Sequence, residues 1–239
     1  MLNALFKRLS ANIIGRVPSQ CAVCRTWPAQ PVCEACVNRF AQPTPRCQTC
    51  ALPLMAGWVA GVVQCGACIK NPPPLDRCLA AVPYAYPWSD LIVQYKFGAQ
   101  PGWATTFALL LRSAPWVEPA LDDADLVVPM PLSRARLRER GFNQALELTR
   151  RLAAGKSDHR LLLRIKDAPA QSSLARGERL RNVKDAFVVD PLRAAQLMGK
   201  RVVLIDDVMT SGASLYAAAT ALRVAGATHI TGIVIARTE

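Results

Sequence analysis

The 239-residue chain is short of acids, aromatic residues and histidine. It carries 17 Asp and Glu against 29 Lys and Arg, 6% aromatic residues, and only His159 and His229. Neither histidine has an evident partner, so no Cys-His or Ser-His-Asp arrangement supports nucleophilic catalysis. His229, just ahead of a strand-like run, reads as structural. No apolar run approaches the roughly 18–20 residues that a membrane-spanning helix needs, which argues against membrane insertion. The opening MLNALFKRLSANII lacks a secretory cleavage pattern. Neither Gly-x-x-x-x-Gly-Lys-Ser/Thr nor Gly-x-Gly-x-x-Gly occurs, so Walker and dinucleotide fingerprints are excluded.

Cysteine, by contrast, is abundant, and it is clustered. Eight of nine cysteines form four Cys-x-x-Cys pairs before position 70: Cys21/Cys24, Cys33/Cys36, Cys47/Cys50 and Cys65/Cys68. Each pair puts two thiolates on one knuckle, and two knuckles complete a tetrahedral four-cysteine site, the usual arrangement for structural Zn2+. One or two zinc ions are expected, and spacing leaves open which pairs share a metal. Iron–sulfur ligation suits four paired knuckles less well, and a redox Cys-x-x-Cys more often stands alone in a thioredoxin-like pattern. Clustering without a signal peptide favours metal ligation in a reducing cytoplasm. Closed four-thiolate sites leave no position for substrate, so their expected work is folding, docking or partner contact. The ninth cysteine, Cys78, reads as a small buried hydrophobe.

Composition divides the chain into a leader helix over 1–19, a cysteine- and proline-rich module over 20–75, and a domain over 76–239. The module cannot bury a conventional core and needs a staple; NPPPLD at 71–76 is a stiff joint. Beyond it, CLAAVPYAY, ADLVVPMP, LLLRI, AFVVD, RVVLID and HITGIVIA read as strands. SDLIVQYKF, with Ser89 as candidate N-cap, GWATTFALLLRS and FNQALELTRRLAA read as helices. A further helix over roughly Ala213 to Val224, stopped by Gly226, joins the last two strands into a βαβ unit. Near-continuous apolar strands imply a sheet covered on both faces. The expected fold is therefore α/β, a mostly parallel sheet flanked by helices, preceded by a small zinc-binding module.

The segment VVLIDDVMTSGAS, residues 202–214, is the most informative. A buried strand ends in two acids, and a turn of small residues then opens a helix. In open α/β sheets ligands bind beyond the carboxyl ends of the strands, where Asp206 and Asp207 fall. Thr210, Ser211, Gly212, Ala213 and Ser214 offer hydroxyls and backbone N–H groups at a helix N-terminus, a nest for a phosphate dianion. Gly212 is expected to let the backbone come close to that anion. Carboxylates suit hydroxyls and a cation, so a ribose with its 5-phosphate in the loop fits, with Mg2+ near the same acids. An Asp-Asp pair that merely caps a helix is the plainer alternative. Between Pro131 and Lys184, fourteen Lys and Arg face five acids, so +9 of the net +12 sits in one stretch that attracts phosphates. For any single one of these arginines a solvated basic surface is the better reading.

At every position this loop resembles the 5-phosphoribosyl-1-pyrophosphate (PRPP) signature of type I phosphoribosyltransferases. The order of parts narrows the resemblance: four knuckles, Leu91-Ile92-x-x-Tyr95-Lys96-Phe97, Val128-Pro129-Met130-Pro131-Leu132-Ser133, Arg140-Gly141-Phe142-Asn143-Gln144-Ala145, and Gln171-x-x-Leu174-x-x-x-x-Arg179-x-x-Asn182-Val183. From about residue 20 to the end the chain is similar to the ComF family. That resemblance implies a type I phosphoribosyltransferase-like fold behind a double zinc ribbon. It also implies a cytoplasmic protein acting around incoming single-stranded DNA, with DNA-uptake and helicase machinery as partners. On it, Arg134 and Arg140 are candidates for the pyrophosphate, with Asn143 and Gln144 nearby. QSSLARGERLRNV resembles a mobile hood from which Arg176, Arg179 and Asn182 reach the leaving group. Asp206, Asp207, Arg140 and Arg179 are then the catalytic set; Arg134 joins the two acids and residues 210–214 in holding PRPP with Mg2+. Three roles stay open: a phosphoribosyltransferase with an unknown acceptor, a PRPP or nucleotide sensor, and a nucleic-acid adaptor using knuckles and arginines.

Overall fold

Strands form where the apolar runs suggest, but not all in one sheet. In the computed structural model, which describes residues 19–27, 29–54, 61, 63–166 and 185–239, these are β1 (Arg77–Pro83), β2 (Leu126–Pro129), β3 (Leu162–Arg164), β4 (Phe187–Val189), β5 (Arg201–Met209) and β6 (His229–Arg237). Four of them make a wholly parallel sheet in the order β1-β6-β5-β2. β3 and β4 pair antiparallel in a separate two-stranded ladder. The expected leader helix falls almost wholly outside the described residues, as does the segment carrying Arg176, Arg179 and Asn182.

The helices in chain order are α1 (Glu34–Phe40), α2 (Gly66–Lys70), α3 (Trp88–Phe97), α4 (Trp103–Ser113), α5 (Val117–Asp122), α6 (Arg134–Arg140), α7 (Gln144–Ala153) and α8 (Ala213–Val224). α4 packs on α7 and on β1 and β6, while α7 also covers β2 and β5. α8 lies against β4, β5 and β6. Its Leu215, Ala218, Ala219 and Leu222 share a buried cluster with Val202, Leu204, Ile230 and Val234. A strand faces two sides alternately, so the continuous apolar sequence of β5 and β6 is what two-sided cover demands. The fold is thus α/β with a parallel sheet between helices, as the sequence pattern indicates.

Three local expectations are corrected. α3 begins at Trp88, with Pro87 in the N-cap position; Ser89 is already helical, and its hydroxyl donates to the Asp90 carboxylate at 3.1 Å. A proline has no N–H to leave unsatisfied and is tolerated at the start of a helix, though it supplies no side-chain cap here. β1 ends at Pro83, where its pairing to Arg237 ends, so Ala85 and Tyr86 are not strand. His229 does have partners: its Nδ1 lies 3.9 Å from Asp76, whose carboxylate also accepts from the Ile230 N–H at 2.7 Å and from Arg223 at 2.6 Å. Burial works against the ionised Asp76, but these donors outweigh it and hold its carboxyl below the usual range. Burial first, and then neighbouring cations, hold the His229 imidazole below its ordinary value. A neutral ring at the head of β6 agrees with a structural role.

The chain divides into two compact units, Met1–Gln42 and Pro43–Glu239. The boundary therefore falls between the second and third knuckles rather than at the composition change near residue 76. In the larger unit Cys47, Cys50, Cys65 and Cys68 are buried in the same cluster as Leu75, Cys78 and Leu215. Cys78 is itself buried, and desolvation pushes its thiol up to about 12, so it packs as a neutral group.

Candidate functional site

The loop after β5 is shaped by where its neighbour stops. β2 pairs with β5 only as far as Pro129 opposite Ile205, so Asp206 and Asp207 project beyond the last rung. The chain then turns through Thr210, Ser211 and Gly212 into α8. Gly212 has φ +82, and a Cβ there would approach the Met209 methyl and the Tyr216 ring to 2.6 Å. The left-handed backbone favours glycine here, and a methyl would also have to displace the ends of the Met209 and Tyr216 side chains. The Ser211 hydroxyl accepts from the Ala213 N–H at 3.4 Å. The N–H groups of Ser214 and Leu215, in the first turn, have no intrahelical acceptor and stand at the positive end of α8.

A cavity of about 380 Å3 opens at this point, at the carboxyl ends of β1, β2 and β5. That is within the range of small-molecule sites. It is lined by Asp206, Asp207 and residues 208–215, and by four cations, Lys96, Arg136, Arg140 and Arg164. Lys96 Nζ lies 2.8 Å from Asp207 Oδ1, and Arg140 Nη1 lies 4.0 Å from Asp207 Oδ2. Asp206 accepts the Asp207 N–H at 2.9 Å. Burial, followed by the charge of Asp207, pushes the Asp206 carboxyl up to about 7, against the opposing pull of Lys96, that N–H and Arg140. Two adjacent acids, one paired with an ammonium and one poised near neutrality, can accept hydroxyl donors and change charge with pH.

The RGFNQA segment positions Arg140, which lines the cavity. Gly141, at φ +76, closes α6 in the left-handed conformation that stops a helix. Asn143 caps α7 by accepting from the Leu146 N–H at 3.2 Å, and its amide donates to the Met130 carbonyl at 3.0 Å. Gln144, buried, accepts from Arg140 at 3.0 Å, while its carbonyl receives the Tyr95 hydroxyl at 2.8 Å. The Phe142 ring sits 5.5 Å from that of Tyr95. Arg140 also lies over the Phe97 ring at 5.1 Å. These contacts fix the guanidinium beside the acids, and its buried Nε has no hydrogen-bond partner among the described residues. A buried donor left unpaired is costly.

Arg134 is placed differently from expectation. It is exposed at the first turn of α6 and does not line the cavity, whereas Arg136 does. Ser133 caps that helix, accepting from the Arg136 N–H at 3.3 Å. From there the helical period puts Arg136 and Arg140, four apart, on one face, and turns Arg134 away. Arg179 lies outside the described residues. The structure brings together Asp206, Asp207, residues 210–214 and Arg140.

The eight knuckle cysteines assemble into two clusters, Cys21, Cys24, Cys33, Cys36 and Cys47, Cys50, Cys65, Cys68. Consecutive knuckles therefore share a site, the point that spacing leaves open. The Sγ separations are 3.9 Å for Cys21–Cys36, 3.6 Å for Cys24–Cys33 and 3.7 Å for Cys50–Cys65. A Zn–S bond of about 2.3 Å in a tetrahedron sets sulfurs about 3.8 Å apart, so both donor sets fit zinc. Each repeats the same support: the Cys33 N–H points at Cys21 Sγ at 3.4 Å, and the Cys65 N–H at Cys47 Sγ at 3.3 Å. Burial opposes ionisation of Cys47, yet the N–H groups of Cys65, Cys50 and Thr49 bring its thiol down to about 7. Backbone donors favour the thiolate that a metal requires.

The chain is similar in sequence to known proteins. No protein-family model matches the chain. DNA utilization protein YhgH of Salmonella typhi is 31% identical over 208 residues, spanning 83% of this chain and 88% of that one. Competence protein F of Haemophilus influenzae is 32% identical over 174 residues, spanning 70% and 75%. The chain belongs to the ComF family. Among solved structures, the PRPP amidotransferase of B. subtilis aligns at 20% identity and a TM-score of 0.34, over 57% of this ComF-family chain and 26% of its own.

Several cavity residues of this ComF-family protein carry no role in the sequence reading: Lys96, Arg136, Arg164 and Tyr84. The Ser133 cap and Gly141 stop, seven residues of helix apart, are the signal that phases Arg136 correctly. Lys96 stands within one of the motifs above, but nothing local to α3 shows that Asp207, 111 positions later, is its partner. Arg164, whose guanidinium lies over the Phe187 ring at 5.4 Å, depends equally on the pairing of two remote strands.

Proposed function

We propose that the cavity binds PRPP with Mg2+ and that this ComF-family protein transfers the phosphoribosyl group to an acceptor in the cytoplasmic handling of incoming DNA. The observation that carries the reading is the lining of the cavity. Two acids and the N-terminus of α8 share it with Lys96, Arg136, Arg140 and Arg164. Asp206 and Asp207 accept the ribose hydroxyls, and the N–H groups of Ser214 and Leu215 with the hydroxyls of residues 210–214 hold the 5-phosphate. Asp206 and Asp207 would hold a Mg2+ ion brought with PRPP, which would supply charge neutralisation on the pyrophosphate. The acceptor nucleophile forms the new bond to ribose C1 as the C1–O bond to pyrophosphate breaks. Arg140 and Arg136 hold the departing polyanion, and fixed geometry does more than a strong base in such a step. The relatives named for DNA utilization and competence support the setting, with single-stranded DNA and the uptake machinery as partners.

Calorimetry with PRPP and MgCl2 tests the pocket. Wild-type protein should give saturable heat, and Asp206→Asn/Asp207→Asn protein should give none; absence of heat with wild type sinks the reading. Release of pyrophosphate in a screen of bases and nucleosides distinguishes transfer from sensing, because a sensor binds PRPP and leaves it intact.

A further inference from the structure

One buried cation is left over by the site just described. Arg237, the last residue of β6, is 4% exposed. Among the described residues no carboxylate lies within ion-pair distance of it. Its donors go instead to neutral oxygens: those of the adjacent Thr238 and backbone carbonyls on two remote segments. Nε donates to the Cys50 carbonyl at 2.9 Å, inside the third knuckle. Nη1 donates to the Met209 carbonyl at 3.2 Å and to the Thr210 carbonyl, the two residues that lead into the phosphate nest. A buried guanidinium without an anion is expensive, and carbonyl dipoles alone do not neutralise it.

The missing charge is close at hand. A zinc ion held by four thiolates carries a net charge of about −2, since four negative ligands surround one dication. Cys50 is one of the four donors in the second cluster. A second guanidinium serves the same knuckle: Arg46 Nη1 donates to the Ala51 carbonyl at 3.1 Å. Two cations on the backbone of residues 50 and 51 match that charge. The knuckle is also hooked to the sheet by the Cys78 N–H, which donates to the Gln48 carbonyl at 2.8 Å. Cys78 Sγ in turn lies 3.5 Å from Met209 Sδ. Both routes from the second cysteine cluster thus arrive at Met209.

We propose that Arg237 is a positioning residue that couples the two sites: it is counter-cation to the metal tetrathiolate of Cys47, Cys50, Cys65 and Cys68, and clamp of the Met209 and Thr210 carbonyls. Metal at this cluster then sets the loop at 210–214 in its binding geometry, and loss of the metal loosens the loop. The ligand arm of this coupling rests on the proposed PRPP reading; the coupling itself does not.

The test uses the full chain, wild type and with Arg237→Met or Arg237→Lys. Zinc affinity is read by competition with a chromophoric chelator, Co2+ loading by its thiolate absorbance, and the loop by hydrogen–deuterium exchange of peptides spanning 208–216. Arg237→Met should weaken one of two zinc sites at least tenfold and speed loop exchange several-fold. Arg237→Lys keeps the charge but not the fork that joins the Cys50 carbonyl to those of Met209 and Thr210, so zinc affinity should return to within about threefold while the loop stays fast. In wild type, stripping and restoring zinc should speed and slow the loop reversibly. The proposal is overturned if folded Arg237→Met loads both metals as wild type does, or if loop exchange ignores zinc. Should Arg237→Met fail to fold, the lysine variant and the wild-type zinc cycle decide in the same way. PRPP·Mg2+ affinity is measured alongside. No binding to zinc-loaded wild type, with loop exchange still following the metal, removes the ligand reading and leaves the coupling standing.

Discussion

Replacing Lys96 by methionine tests the electrostatics of the cavity most directly. The ammonium lies 2.8 Å from Asp207 Oδ1, with side-chain exposures of 16% and 10%. At an effective dielectric of about 20 the gross attraction at that distance is about 6 kcal/mol, much of which the cost of desolvating both ions cancels. Removing one partner of a fully buried pair costs about 3–5 kcal/mol; with this cavity open to solvent and Arg140 still near Asp207, about 2–3 kcal/mol is expected. For a chain of this size that corresponds to a fall in Tm of about 4–12 °C. The effect must also depend on pH. Asp206 has its folded carboxyl raised to about 7, so between about pH 4 and 7 the native state binds more protons than the unfolded chain, and its stability falls as pH rises through that window. Without Lys96 the folded Asp206 carboxyl rises further, and the fall continues above pH 7. The difference between wild type and Lys96→Met should therefore be largest near pH 8.5 and shrink toward pH 5.5. Urea unfolding at a series of pH values measures it. A difference below about 0.5 kcal/mol, or one that does not change with pH, refutes the argument, because exposed pairs behave that way.

Three other outcomes follow from the geometry. Asp206→Asn removes a carboxylate that burial disfavours while keeping an acceptor for the Asp207 N–H, so at pH 8 it should stabilise by about 1–2 kcal/mol yet abolish PRPP·Mg2+ binding; calorimetry and thermal melts together check this trade. Gly212→Ala places a methyl 2.6 Å from Met209 and Tyr216 at φ +82, and a loss of about 1–3 kcal/mol in urea denaturation is expected; unchanged stability would mean the turn adopts another backbone. Cys65→Ser, in the cluster that shares the large core, should lower the main melting transition by about 5 °C or more, as several kcal/mol of metal-linked stability is lost. Cys24→Ser, in the smaller unit, should release one zinc and leave that transition in place.

Much of this is legible in one dimension because the signals are local. The bounds of α8, Ala213 to Val224, follow from the turn before it and Gly226, at φ +103, after it. The four knuckles announce metal ligation because each pair is complete within four residues. A reading that needs a helix phase or a remote partner is less secure. Sequence favours Arg134 over Arg136 as long as α6 is not recognised as a helix, and a rotation of about 100° per residue decides which arginine faces the cavity. Ser89 resembles a cap because hydroxyl residues are commoner than proline at that position, and only backbone dihedrals show where helical geometry starts.

The loop VVLIDDVMTSGAS, taken alone, determined that two acids would stand near the carboxyl end of a buried strand, just before a turn into a helix, since strand, turn and helix onset are written in consecutive residues. Tertiary structure alone decided what those acids face. Lys96 and Arg140 come from α3 and α6, and they reach Asp207 only because α3, α6 and β5 converge on the carboxyl end of the sheet. The same holds for the cysteines: sequence determined their chemistry, and folding decided that consecutive knuckles share a site and that the second site lies in the core with β1 and α8. Charges and ligands meet through space, and spacing along the chain carries no record of distances that packing sets.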